Sequence, residues 1–267
     1  MEGSSGEPRP GAPAKRGGVA VEERDRPLRL AELTWRRAAE RLRDDPRLLV
    51  PVGGLLQHGP HLPLGTDTVI VTRLAEAISR RHDVLLAPTL PYGAGSERDA
   101  EYAGSAPIRG KTLHRTLNEL VSTWEEHGVE EFVFLTSHGY GPHLQALATV
   151  ASETARVRSV DLHAVDLSDH LENHQGGEHA GEMATSLMLH LAPGQVRMEE
   201  AEDLELPAEA VGQLRVGEEP IPPPGSSGVL GRPSLASAEK GERVFDYLVR
   251  FLGDRIFAPR GAAAGGD

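Results

Sequence analysis

At 267 residues the chain is long enough to bury a sizeable core as one α/β domain, and its formal charge of -12 argues against nucleic acid or an anionic membrane as partner, since either needs a basic face to neutralise phosphates. The absence of cysteine excludes disulfides, thiolate nucleophiles and zinc ribbons, so any metal must be held by His, Asp and Glu. No apolar run is long enough to span a bilayer, and the expectation is a cytoplasmic protein, with no membrane partner, acting on a small-molecule or peptide substrate.

Residues 1–26 are rich in Gly, Pro and charge and lack the apolar core of a secretory signal, so they read as a disordered tail. Residues 27–257 read as a single domain and residues 258–267 as a second disordered tail. Leu30 to Arg43 has helical periodicity, and Leu48 to Val52 is an apolar run of strand length broken by Gly53-Gly54. Thr66 is placed to cap a helix running to about His82, with Val69, Ile70, Leu74, Ala77 and Ile78 at helical spacing.

Val84 to Ala87 reads as a second strand, and Tyr92 to Gly110 as a long, glycine-bearing loop of the kind that shapes pockets. An amphipathic helix is expected over Thr112 to His127, a buried strand over Phe132 to Leu135, a helix from about Pro142 to Ala155 and a strand over Val160 to Val165. Helices over Ala180 to Leu191 and Ala236 to about Leu252 flank an acidic, proline-rich segment, 199–224. This alternation predicts an α/β fold, three-layer α/β/α with a mainly parallel central sheet.

Three segments carry chemistry. Gln57 to Asp67 puts His58, His61 and Asp67 into a stiff strand-to-helix connection, the place where open α/β sheets bind ligands. The second segment offers His138 and His143 after the buried strand, and the third offers Glu178, His179 and Glu182 at a helix start. A divalent zinc, manganese or iron ion accepts imidazole and carboxylate together.

His58, Asp67 and His138 are favoured as ligands, because short glycine-bearing turns after apolar strands have few structural uses for polar side chains. His61 and His143 read as supporting residues or substitute ligands. His174, near the third segment, stays a candidate substitute, whereas His163 and His170 read as surface histidines. Glu182 is evenly balanced between ligand and structural acid, since a first helical turn favours an acid anyway.

The first segment, together with His179-Ala180-Gly181-Glu182-Met183-Ala184-Thr185-Ser186, closely resembles the creatininase family of metal-dependent amidohydrolases, on the side of its mycofactocin-maturation peptidases. The likeness runs from about Leu48 to Leu252 and takes in Pro91-Tyr92-Gly93 and Ser227 to Pro233. It implies an α/β/α fold assembled as hexamers, with two metals at the strand ends hydrolysing an amide. By position, His58 would bind one metal, Asp67 would bridge both and His138 would bind the other.

Departures stand beside the likeness. The family's Glu-Gln-His-Gly is here Leu56-Gln57-His58-Gly59, its Asn-Gly-His-Gly-Gly-Asn is Thr136 to Gly141, and its Glu-Thr-Ser is Ala184-Thr185-Ser186. The expectation is therefore one or two divalent metals (Zn, Mn or Fe) per subunit, with His58, Asp67, His138 and Glu182 as ligands. Glu178, Glu182 or His179 would move the proton, and Tyr92, Glu97 and Tyr140 would meet the substrate. The competing reading is a non-catalytic homologue serving as a binding or regulatory subunit.

Overall fold

The computed structural model describes residues 26–173, 178–206 and 225–257. The expected tails, apart from Arg26, lie outside them, as do His174 and most of the proline-rich segment. Strands β1 (Arg47–Val52), β2 (Leu85–Leu86), β3 (Glu131–Thr136) and β4 (Arg156–Asp161) form one parallel sheet in the order β2-β1-β3-β4. The helices are α1 (Trp35–Asp44), α2 (Thr66–His82), α3 (Gly110–Glu126), α4 (Gly141–Ala148), α5 (Glu182–Leu191) and α6 (Ala238–Ile256).

Alternation along the strands makes the two cores. Leu49, Val133 and Leu135 face Leu74 and Ile78 of α2, Leu187 of α5 and Val244 and Leu248 of α6. Leu48, Val50, Phe132 and Phe134 face the other way, onto Leu113 and Leu117 of α3, Leu147 of α4 and Leu42 of α1. Both faces of the sheet are thus buried, as a parallel sheet requires, and the three-layer expectation is met. Full burial of each such side chain stabilises by roughly 1.5–3 kcal/mol.

Pro51 sits inside β1 without breaking it. Its carbonyl accepts from Leu90 N and the next donor on that side, Gly53 N, bonds Leu90 O, so the missing N–H falls beyond the end of the two-residue β2.

Several boundaries differ from expectation for local reasons. Thr34 accepts a hydrogen bond from Arg37 N, so the first helix starts at Trp35 after a short 3-10 turn. Thr66 is the first residue of α2 rather than its cap, and its hydroxyl donates to Pro63 O. Helix α4 stops at Ala148, and Glu125 collects the backbone N–H groups of Thr154 and Ala155 just before β4. The last strand begins at Arg156, and Asp161 accepts from His163 N to end it in a 3-10 turn.

From β1 the chain passes first to β2 on one side and later to β3 on the other. The loops leaving β1 and β3 therefore diverge, and the crevice between them is the switch point where such sheets take ligands.

Candidate active site

The β1 loop is tied back on itself by Leu56 N donating to Leu64 O, which delivers Asp67 into the first turn of α2, where the helix dipole favours a carboxylate. His58 and His138, from the loops after β1 and β3, flank it, and all three are buried. His58 Nδ1 donates to Leu56 O at 3.1 Å, and its Nε2 lies 3.3 Å from Asp67 Oδ1. His138 Nε2 donates to Ala94 O at 2.7 Å, and its Nδ1 lies 3.2 Å from Asp67 Oδ2. A carbonyl only accepts, so the proton of each neutral ring is on the carbonyl side and the other nitrogen aims a lone pair at the carboxylate. This is how metal-binding histidines are oriented.

Electrostatics say the same from the other side. Burial works against charge on His58, but the charge and hydrogen bond of Asp67 and the Leu56 carbonyl outweigh it and raise the pKa. For His138, burial is likewise outweighed by its hydrogen bond to Asp67, that residue's charge and the Ala94 carbonyl. Burial would raise the pKa of Asp67, yet the two imidazoles hold it well below the usual carboxylate range. Two nitrogens facing one carboxylate need either extra protons or a cation between them.

The donor set fits a divalent ion. Two atoms bound to one tetrahedral zinc at ~2.0–2.1 Å stand about 3.3 Å apart, the spacing of each nitrogen–oxygen pair here. Asp67 Oδ2 is moreover a buried oxygen without a well-formed hydrogen bond. Each pair supplies only two donors, and among the described residues no group of three or more His, Asp or Glu is gathered as a ready cage. Leu56 adds no donor to the set: its Cδ1 and Asp67 Oδ2 lie 3.3 and 3.5 Å from where a Cβ on Gly54 would be, so both border the same space.

The other predicted residues separate. His143 is saturated, its Nδ1 accepting from Ala94 N at 3.2 Å and its Nε2 bonded to Thr136 Oγ1 at 3.0 Å, and burial followed by the charge of His138 pushes it down to about 3. It braces the His138 turn rather than offering a free donor. His61 bonds Thr185 Oγ1 at 2.9 Å through Nε2, its Nδ1 has no partner among the described residues, and burial and the charge of His58 push it down to about 4. His163, expected at the surface, instead bonds Ser137 O at 2.9 Å and so holds the turn that carries His138.

His179 lies against the cluster, its ring centroid 4.6 Å from that of His58 and its Nε2 2.9 Å from Gln57 O. Burial and the charge of His58 push it down to about 3, so the ring is neutral. Glu182 was expected at the metal, but its Oε1 pairs with Lys240 while its Oε2 accepts the backbone N–H groups of Glu172 and Asn173. Tyr92 and Glu97 are exposed, whereas the Tyr140 ring stands 6.2 Å from that of His138. Sequence reasoning passed over Gln57 and Lys240. Gln57 lay inside the first segment, but Lys240 had no local signal at all.

Glu178 accepts from Met183 N at 3.0 Å, and its other oxygen is buried without a partner among the described residues. Burial, with the charge of Glu182 added, pushes it up to about 8. The folded form therefore keeps a proton that the unfolded chain releases near pH 4.5, and stability falls as pH rises from there to about 8. At about 1.4 kcal/mol for each pH unit of that window, the loss is a few kcal/mol. Glu178→Gln should flatten this part of the curve, which denaturant titrations at pH 5, 7 and 9 would read; an unchanged slope would remove Glu178 as its source.

With the geometry in view, comparison with known proteins is direct. The family model described as creatinine amidohydrolase matches residues 31–256. A mycofactocin precursor peptide peptidase of Mycolicibacterium smegmatis is 32% identical over 222 residues, covering 79% of this chain and 84% of the relative. A creatinine amidohydrolase of Pseudomonas putida is 27% identical over 252 residues, covering 85% and 95%. Solved creatininase structures, one a Mn form and one a mutant of Zn-Zn type, superpose with a TM-score of 0.71 at 25% identity, covering 87% of this chain and 99% of theirs. A match over this much of its length, on this fold, places the chain in the creatininase family.

Proposed function

We propose that this chain hydrolyses a C–N amide bond in a small or peptidic substrate, using a divalent cation held by His58, Asp67 and His138. The observation that carries the reading is the pair of buried imidazoles, each anchored to a backbone carbonyl and each aiming its second nitrogen at one oxygen of the same carboxylate. A cation bound there supplies the positive charge that polarises a carbonyl and makes water acidic near neutral pH.

The chain's own groups do the rest. His179, neutral and tilted against His58, would donate a hydrogen bond toward the leaving nitrogen. Glu178, next to it in sequence and holding its proton near neutrality, is the reserve donor, and Tyr140 lines the approach to His138. The wall of the pocket is the 92–110 loop, fastened to the segment before α6 by Tyr102 Oη donating to Ser226 O. Assembly as a homo-oligomer and a cytoplasmic location belong to the same proposal. No helix among the described residues is long and apolar enough to cross a membrane.

An aliphatic Leu56 bordering the same space over Gly54 as Asp67 Oδ2, and Glu182 turned to Lys240, favour a second reading: a binding or regulatory homologue without catalysis. Metal analysis of protein purified without chelator separates the two. The hydrolase should carry zinc, manganese or iron near one equivalent and lose it in His58→Ala and Asp67→Ala. Metal near zero after incubation with each ion would leave only the second reading.

A further inference from the structure

Gln57 is buried between the metal-side loop and His179, and its side chain has one orientation. Oε1 accepts the Gly59 N–H at 2.9 Å, so the amide nitrogen must face the other way, where it lies 3.0 Å from His179 Nε2. The wall behind Oε1 is Gly228, at φ +94, where a Cβ would collide with that oxygen. His179 is held from its own side as well. Its backbone exchanges hydrogen bonds with Leu230 at 2.7 and 2.8 Å, and Ala180 next to it takes a left-handed φ of +55, a conformation that costs a non-glycine residue about 1–3 kcal/mol.

One ring nitrogen thus faces both a donor, Gln57 Nε2, and an acceptor, the Gln57 carbonyl at 2.9 Å. A neutral ring satisfies one of them. If Nε2 carried the proton, a buried amide N–H would press against another donor; if Nε2 is bare, the carbonyl is the group left short. Orphaned buried N–H groups are rarer than under-satisfied carbonyls, so the bare Nε2 prevails.

We propose that Gln57 is a positioning residue that selects the His179 tautomer, keeping the ring proton on Nδ1, the nitrogen turned away from Gln57. This deepens the hydrolytic reading, on which the use of that proton rests: a ring protonated at Nδ1 is a donor toward a leaving nitrogen, and the opposite tautomer is not. The tautomer itself is a property of the full-length chain with or without metal or substrate.

The test is two-dimensional 1H–15N NMR of histidine-labelled, metal-free full-length protein, which assigns each ring's protonated nitrogen. His143 is the internal reference, because Ala94 N–H donating to its Nδ1 fixes its proton on Nε2. His179 should show Nδ1–H in the native chain and Nε2–H in Gln57→Leu, with His143 unchanged in both. Gly228→Ala, by pushing the amide aside, should reproduce the switch from a different position. Native His179 protonated at Nε2, or a folded Gln57→Leu that keeps Nδ1–H, would overturn the proposal. Should the leucine variant not fold, the native spectrum decides alone, and metal content, measured separately, reports on the hydrolytic reading.

Discussion

Leu56→Glu is expected to make the fold depend on a divalent cation. Leu56 is fully buried; its Cδ1 and Asp67 Oδ2 lie 3.3 and 3.5 Å from where a Cβ on Gly54 would be, and its Cδ2 lies 3.2 Å from where a Cβ on Gly95 would be. A glutamate there brings a second carboxylate, shut off from water, into the space that Asp67 Oδ2, an oxygen without a well-formed hydrogen bond, also borders. Without a cation the variant should lose about 3–5 kcal/mol, the cost typical of an uncompensated buried charge. With zinc or manganese at 100 times its Kd, about 2.7 kcal/mol should return by mass action, because the ion binds the folded chain alone.

Leu56→Ala is the control. It should lose about 2–5 kcal/mol to the cavity and gain no more from the ion than the native chain does. Denaturant unfolding of both variants with and without metal, beside their metal content, reads the difference. A glutamate variant that gains no more from cations than the alanine one would refute the view that this leucine fills a ligand position.

The parallel sheet was legible because strand and helix periods alternate cleanly, and the switch-point turns were legible because His58 and His138 lie in the glycine-bearing loops that follow apolar strands. Local pattern failed where a distant partner decides. His143 sits in the first turn of the helix that follows the His138 loop, where a ligand could also stand, but the backbone N–H of Ala94, 49 positions away, consumes its free nitrogen. Glu182 opens a helix, which suits both a metal ligand and an acid on a helix dipole, and the choice is made by Lys240, 58 positions downstream. Strand β4 began four residues earlier than expected because its register is set by pairing Arg156 with Glu131, whereas the apolar run lay further on. Gln57, flanked by a leucine and a histidine, carried no sign that its amide would bridge two loops.

Lys240→Met should be among the most costly substitutions in the chain, and it tests what Glu182 is for. Glu182 is fully buried; beside its bond to this lysine it collects the backbone N–H groups of Glu172 and Asn173 at 2.9 and 2.7 Å. Lys240 in turn bonds Glu172 at 2.9 Å and Leu235 O at 2.6 Å, so one ion pair joins α5, α6 and the loop leading toward His179. Removing the lysine strands the buried carboxylate, at a cost of about 3–5 kcal/mol. Glu182→Gln keeps an acceptor for the two backbone groups and leaves Lys240 its exposed partner Glu172, so about 1–3 kcal/mol should go. The double variant should lose less than the sum of the two, by a coupling of about 0.5–3 kcal/mol. Amide exchange at Glu172 and Asn173 should quicken in Lys240→Met, since those donors depend on the stranded acceptor. Metal content is the deciding readout: folded Glu182→Gln should bind as much zinc as the native chain, and a proportionate loss of zinc would return Glu182 to the ligand set.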